Sequence, residues 1–238
     1  MRLLLVAVSF AALSLGSYWA LTRGPFGPGG SGVEGIATGV ASGMDAVSGA
    51  VAGPIARQAE EPEFDGGMAV FTRLTRQAYA VTGTTADDVL ASLLEKGPRD
   101  GGDVFFGITD TELDVHYDPA DISGGCVIRD TRVYLDVTIT LPEWAPPAGA
   151  DSETVAEWGR FIRALQSHED QHRQIAVDGA ERAYRAVADL YRPSCQAAVE
   201  EARRRLERIG VEIKSAHRRF DAATDHGKTD GAAWPPRD

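Results

Sequence analysis

The sequence predicts an α+β domain in which a small antiparallel sheet packs on a long helix and on a second helix antiparallel to it. Residues 126–141 alternate apolar and polar side chains, as a half-buried strand does. Residues 152–190 and 199–220 instead carry apolar or small side chains every three or four positions, which is the helical period. Because the strand patterns precede the two helical patterns, the α+β class is favoured.

Shorter patterns lie ahead of the 126–141 strand. Aromatic and β-branched residues indicate strands, whereas a Thr cap and a Gly-Pro stop bound a helix. The predicted elements are a strand within 71–81, a helix that follows Thr84 or Thr85 and stops at Gly97-Pro98, and strand segments at 104–108 and 113–117.

The long predicted helix carries the motif His168-Glu169-x-x-His172. Residues four apart lie on one helix face, so the two histidines can offer ring nitrogens to one metal ion, as in the zincin type of helix. Both fall within the apolar stripe and are expected to point inward. Catalytic zinc requires two such nitrogens, a third ligand and an open position for water, from which Glu169 can take a proton. A chance match on a surface helix is the alternative.

The net charge of the chain argues against one class of function. The formal net charge is −11 over 238 residues, and no basic stripe offsets it, which argues against general nucleic-acid binding. Arg203-Arg204-Arg205 alternates with glutamates along the second helix, as expected of a solvated face.

The first 22 residues predict export. Arg2 precedes an apolar run, residues 3–21, that is suited to a secretory signal with Ser14-Leu15-Gly16 at its cleavage site, or to an uncleaved membrane anchor. Residues 23–67 are rich in Gly and Ala and are interpreted as a linker, with a weak amphipathic helix as the alternative. Residues 68–238 form the predicted folded domain.

Export bears on the redox state of the two cysteines. Cys126 and Cys195 are most simply one disulfide in an oxidising compartment, although two free buried thiols are the alternative. The bond would tie the strand before the long helix to the turn after it.

Short motifs follow one another from Tyr79 to Pro235, and in this order they resemble a known family. They are YAVTGT at 79–84, Gly97-Pro98, Cys126, LPEW at 141–144, Trp158, LxxHExxH at 165–172, Cys195, and FDxxTxHG at 220–227 with Gly231 and Pro235. The chain resembles bacterial secreted proteins of unknown function that are classed as predicted zinc-dependent proteases. That family more often has Tyr where this chain has Phe220. The resemblance implies the fold and a Zn²⁺ cofactor more than a substrate.

His226 is the predicted third metal ligand, because it lies in a Thr-x-His-Gly turn that matches the closing motif of this family. A histidine in a mobile tail is the alternative reading. Glu200 or Glu201 would suit zinc enzymes that take a glutamate from the following helix, and Asp225 is a weaker candidate.

Other residues have less definite assignments. His116 and His217 are expected to be ordinary surface residues. The group that stabilises the oxyanion is undecided between Tyr184, Tyr191 and His217.

The function predicted from these residues is a zinc-dependent peptidase of the cell envelope. Glu169 would act as general base, and strand 126–141 would bind the extended peptide or protein substrate along its edge. The protein is expected to be exported. It would then be periplasmic, held at the membrane through residues 3–21 and facing the periplasm, or secreted from the cell. A non-catalytic envelope-anchored binding protein and a cell-wall peptide amidase are the alternatives.

Overall fold

The computed structural model describes residues 6–12, 58–59, 63–64, 68–100 and 102–236. Most of the predicted signal or anchor and most of the predicted linker therefore lie outside the described residues. Within them, Val6–Ala12 forms a strand. No helix in the described ranges combines the length and the apolar character that crossing a bilayer requires.

Nine strands, three α-helices and a short 3₁₀ helix make up the described part of the chain, and the α+β class is confirmed. The strands are β1 Val6–Ala12, β2 Gln58–Ala59, β3 Glu63–Phe64, β4 Val70–Val81, β5 Arg99–Asp100, β6 Asp103–Val104, β7 Ile108–Ile122, β8 Gly125–Trp144 and β9 Tyr191–Arg192. The helices are α1 Ala86–Lys96, α2 Ser152–Val187 and α3 Cys195–Thr224, followed by the 3₁₀ turn Lys228–Asp230.

The main sheet is mixed. Its order is β1-β7-β8-β4-β2, with β3 also on β4 and β9 also on β8. β7 and β8 form a long antiparallel hairpin, but β4 and β8 run parallel, so the prediction of an antiparallel sheet was wrong for this pair. A parallel neighbour needs a long crossover, and α1 and β7 lie in the connection between these two strands.

β8 is the central strand of this sheet. Its buried residues Val133, Leu135, Val137 and Ile139 follow the predicted alternation. Because β7 and β4 flank it on both sides, β8 does not offer a free edge along 133–140, and the prediction that this strand binds a substrate along its edge was wrong.

β7 contains the predicted strand segment 113–117 and extends on both sides of it, whereas the predicted segment 104–108 shares only Ile108 with it. Alternate residues of this strand face the core, and two of them, Thr109 and Thr111, are buried threonines. A polar residue at a buried position hides the apolar alternation that sequence reasoning relies on, so this strand was predicted to begin too late.

The helices begin at side-chain caps. Thr85 and Asp88 form a capping box at the start of α1, Asp151 caps α2, and Ser194 caps α3. α3 continues to Thr224, beyond the predicted helical pattern 199–220, so Asp221 lies in the last turn of a helix.

α2 and α3 form a hairpin that packs on one face of the sheet. Its apolar stripe joins the β7 and β8 side chains in one core, and a second core surrounds Trp158 near α1. As predicted, Cys126 in β8 is bonded to Cys195 at the start of α3. Halfway along the hairpin Gly179 of α2 lies directly against the buried side chain of Ile213 in α3.

Replacing Gly179 by Ala is expected to destabilise the protein by about 1–3 kcal/mol, because overpacking a close helix contact forces neighbours to shift. The added methyl group would lie 2.4 Å from Cδ1 and 2.5 Å from Cγ1 of Ile213. Gly159→Ala in the same helix is the control: its nearest neighbour is an Arg163 side-chain nitrogen 3.5 Å away. That variant should gain about 0.5–1 kcal/mol, as for other helical glycines. Urea unfolding gives the free energy of unfolding of both variants. Equal values for the two variants would contradict the close approach of α2 and α3.

Candidate metal centre

The two histidines of the motif lie side by side on the inner face of α2. His168 is 6% exposed and His172 is 9% exposed. Their Nε2 atoms are 3.2 Å apart. The four-residue spacing therefore brings two ring nitrogens to one point, as the sequence predicts.

Asp221 supplies a third atom at this point from the last turn of α3. Its Oδ1 lies 2.9 Å from His172 Nε2 and 3.3 Å from His168 Nε2. Ligand atoms about 2.0–2.1 Å from a tetrahedral zinc ion lie about 3.3–3.4 Å from one another. The three atoms match that spacing to within a few tenths of an ångström, and two neutral imidazoles with one carboxylate are a common zinc donor set. The residues present thus fit zinc.

Sequence reasoning missed Asp221, although a signal existed. His217 and Asp221 are four residues apart, as His168 and His172 are. Two such pairs on neighbouring antiparallel helices can face each other. The prediction that α3 ends before Asp221 removed this residue from the helix face and hid the second pair.

Glu169 lies beside the two histidines and is 3% exposed. Thr109 of β7 donates a hydrogen bond of 2.7 Å from Oγ1 to Glu169 Oε2. The other oxygen, Oε1, faces Gly107, where a Cβ would lie only 2.9 Å from it. Burial raises the pKa of Glu169 above its ordinary value, and the bond from Thr109 offsets only part of this rise. Thr109 in β7 therefore holds one oxygen, and Gly107, just before this strand, lies close to the other.

The charges of the α3 residues are set by their contacts. Burial alone would raise the pKa of Asp221, but hydrogen bonds from His168 and His172 outweigh it and hold the pKa well below the usual range. Burial and the neighbouring His172 lower the pKa of His217 to about 4, against the opposing effect of Asp221. Near neutral pH the centre thus combines an ionised carboxylate with a neutral His217.

Packing fixes the ring of His168. Phe220 stacks on it with ring centroids 4.7 Å apart and planes 21° apart. Gly227 lies against another part of the ring: a Cβ at this position would be 3.0 Å from His168 Cγ. Phe220 makes this contact with its aromatic face, so the hydroxyl of the more usual Tyr is not needed for it.

His226 lies at the edge of the same centre. Its Nδ1 is 3.8 Å from Asp221 Oδ1, and its side chain is 42% exposed. It is not among the three residues whose ligand atoms converge, so its assignment as the third ligand stays a prediction. Its neighbour Asp225 is exposed and pairs with Lys228.

The two glutamate alternatives lie far from the centre. Glu201 is about 30 Å from Asp221 along α3. Hydrogen bonds from Arg205 and Arg204, with Arg192 nearby, lower the pKa of Glu201 to about 2. Glu200 accepts a hydrogen bond from Gln196 on the helix surface.

Of the three residues considered for oxyanion stabilisation, His217 is the one that lines the cavity at this centre. Tyr184 lies about 18 Å from His172 along α2 and packs against the sheet core. Tyr191 donates a hydrogen bond of 2.7 Å to the carbonyl of Gly124 in the β7–β8 turn.

The expectation that His217 is a surface residue was wrong, whereas His116 packs edge-on against the half-exposed Tyr134.

The centre opens into a cavity of about 820 Å³. One wall is apolar and contains Phe106, Leu165 and Trp234, while Lys214 and Arg218 of α3 line another part. The cavity therefore joins the buried polar centre to a space large enough for several residues of a bound peptide.

Residues 76–227 match the family described as bacterial protein of unknown function (DUF922). The chain belongs to this family. The DUF922 match runs from β4 to Gly227, and so it includes the motif helix, Asp221 and the segment that contacts His168. Among curated proteins and among solved structures, none matches the chain.

Gly227→Ala is expected to weaken zinc binding about tenfold or more, a size typical of changes that disturb ligand orientation, because the methyl group would press on the His168 ring. Gly231→Ala is the matched control. Both glycines have positive φ, +80° and +93°, but a Cβ at 231 would come no closer than 3.6 Å to its nearest neighbour, Ala164. Both variants therefore share the backbone strain, and only Gly227→Ala presses on His168. Zinc affinity, measured by competition with a chelating indicator, should separate them; equal loss would show that backbone strain alone is responsible.

Proposed function

We propose that this DUF922 protein is a zinc-dependent peptidase in which His168, His172 and Asp221 hold the metal and Glu169 is the general base. The observation that carries the proposal is the convergence of Asp221 Oδ1 with the two histidine Nε2 atoms at 2.9 and 3.3 Å. Glu169 lies beside this point on α2, the helix that carries the two histidines. A structural zinc site has no need of a carboxylate beside its ligands and usually closes with a fourth protein ligand.

Zinc supplies Lewis acidity when bound, towards a peptide carbonyl and towards water. The residues of the chain supply the rest of the reaction. Thr109 fixes Glu169 through Oε2, so Oε1 is the atom that takes a proton from water and passes it to the leaving amine nitrogen. The missing side chain at Gly107 lets the backbone lie close to this oxygen.

Openness of the centre supports catalysis over a purely structural role. Within the described ranges, the group that could hold a metal at this point has three members, and His168, Glu169, His172 and Asp221 all line the cavity. A set of three protein ligands next to a cavity is typical of catalytic zinc. The non-catalytic binding protein is disfavoured for this reason, while a cell-wall peptide amidase would use the same residues on a related amide bond.

The strand best suited to bind an extended substrate is β7. Ile108, Thr109 and Thr111 at its beginning line the cavity next to Glu169. β1 pairs antiparallel with β7 from Thr111 to Tyr117, on the side away from β8, and its C-terminal end points towards the centre. A peptide added in the same direction at residues 107–110 would cross the cavity beside Glu169, as strand addition requires.

The proposed location is the cell envelope. The Cys126–Cys195 disulfide is compatible with an exported protein, because such bonds persist in oxidising compartments. Peptides or proteins of the envelope are the proposed substrates.

Metal content tests the ligand assignment. We expect one zinc ion per chain in the wild type, in Glu169→Gln and in Asp225→Ala, which serves as the control for an exposed aspartate of the same segment. Asp221→Ala should lose stoichiometric zinc because a third donor is removed. His226→Ala should keep it if Asp221 is the third ligand. Elemental analysis of the full chain distinguishes the two: retention in Asp221→Ala with loss in His226→Ala would assign His226 instead.

Activity tests the general base. Glu169→Gln should reduce the cleavage of a labelled unfolded protein such as casein by about 10²–10⁴-fold, the usual contribution of a general base, while the zinc content is unchanged. A zinc chelator should abolish wild-type cleavage, and added zinc should restore it. A zinc-loaded wild type that is inactive on casein and on cell-wall peptides alike would refute the catalytic proposal.

A further inference from the structure

α3 contacts both ring nitrogens of His172. Asp221 Oδ1 lies 2.9 Å from Nε2, and His217 Nδ1 lies 2.8 Å from Nδ1. The imidazole planes of His172 and His217 are 27° apart, with centroids 5.1 Å apart. Since His217 and Asp221 are one turn apart on the same helix face, a single helix reaches the two sides of one imidazole.

We propose that His217 is a positioning residue, which fixes the tautomer and the ring orientation of His172 for metal binding. The inference rests on the proposed zinc site. A histidine that binds metal through Nε2 carries its proton on Nδ1 and usually donates it to a second group. At His172 the group within reach is Nδ1 of His217, which must therefore be the acceptor.

The same constraint determines the tautomer of His217. If its Nδ1 accepts the hydrogen bond, the proton of the neutral ring is on Nε2. That Nε2 is buried, and the described residues offer it no hydrogen-bond partner, while the side chain lines the cavity. A buried N–H without an acceptor is costly, so the contact with His172 fixes this tautomer against that cost.

His168 has no comparable support. Its Nδ1 is buried without a hydrogen-bond partner among the described residues, and its ring is held by stacking on Phe220 and by Gly227. The hydrogen bond from His172 to His217 is therefore the polar contact that orients this pair of ligands from outside.

Substitutions in the full chain test the role. His217→Leu removes the acceptor and should weaken zinc binding 10–100-fold, the usual effect of losing a group that orients a ligand. His217→Asn keeps an oxygen acceptor near the Nδ1 position and should stay within a few-fold of the wild type. His116→Leu, a change of the same kind at a histidine that contacts Tyr134, should have no effect. Affinity is measured by competition with a chelating indicator, on variants shown by circular dichroism to be folded.

Nitrogen-15 NMR of the zinc-loaded wild type gives a readout that needs no variant. We expect protons on His172 Nδ1 and on His217 Nε2. A proton on His217 Nδ1, or equal zinc affinity in His217→Leu and the wild type, would overturn the inference while leaving the zinc site intact. A wild type without stoichiometric zinc would instead refute the proposed function, and the inference with it.

Discussion

The close antiparallel packing of α2 on α3 is the contact on which the rest of the centre depends. His168 and His172 come from one helix, while His217 and Asp221 come from the other. Their ring nitrogens and carboxylate oxygen can meet only if the helix axes stay close. Gly179 permits that approach against Ile213, and the Cys126–Cys195 bond joins the start of α3 to the sheet. The polar centre therefore depends on close helix packing about one to two turns away.

The sheet contributes orientation to the same centre. Thr109 at the beginning of β7 and Gly107 just before it lie against the motif helix. Thr109 donates a hydrogen bond to Glu169 Oε2, and Gly107 lies close to Oε1. Because β7 is fixed by its long pairing with β8, the position of the Glu169 carboxylate is set by two independent elements, a helix and a strand. In the proposed peptidase, preorganisation of this kind would keep the general base in place before a substrate arrives.

Sequence reasoning succeeded where a pattern is local. The motif in α2, the alternation in β8 and the cap at Thr85 depend on neighbours within one or two turns, and each has its expected structure. The two cysteines could be paired because the chain has no others.

The failures concern relations between distant segments. The parallel pairing of β4 with β8 depends on which strands meet, and the sequence contains no signal for it. Asp221 was missed because the apolar stripe that predicts the second helix stops at Phe220, so the helix was ended one turn too early. His217 lay within the predicted helix but was expected at the surface. Their positions become meaningful only when α3 is placed against α2. The motif therefore predicted the residues of the candidate centre in α2, whereas those in α3 were identified only from the tertiary structure.

Under the proposed function, the distance in sequence between the two halves of the centre would decide how the protein acquires zinc. An unfolded chain would present only the His168–His172 pair, a weak site that many divalent ions can share, because Asp221 joins it only after α3 has folded back. The proposed three-ligand site would thus be created by folding. Divalent first-row metals compete in an order set largely by their own chemistry, so the ion that is captured depends on which ions are available where folding finishes. For a chain exported unfolded, that place is outside the cytoplasm, and the supply of ions there would decide the occupant.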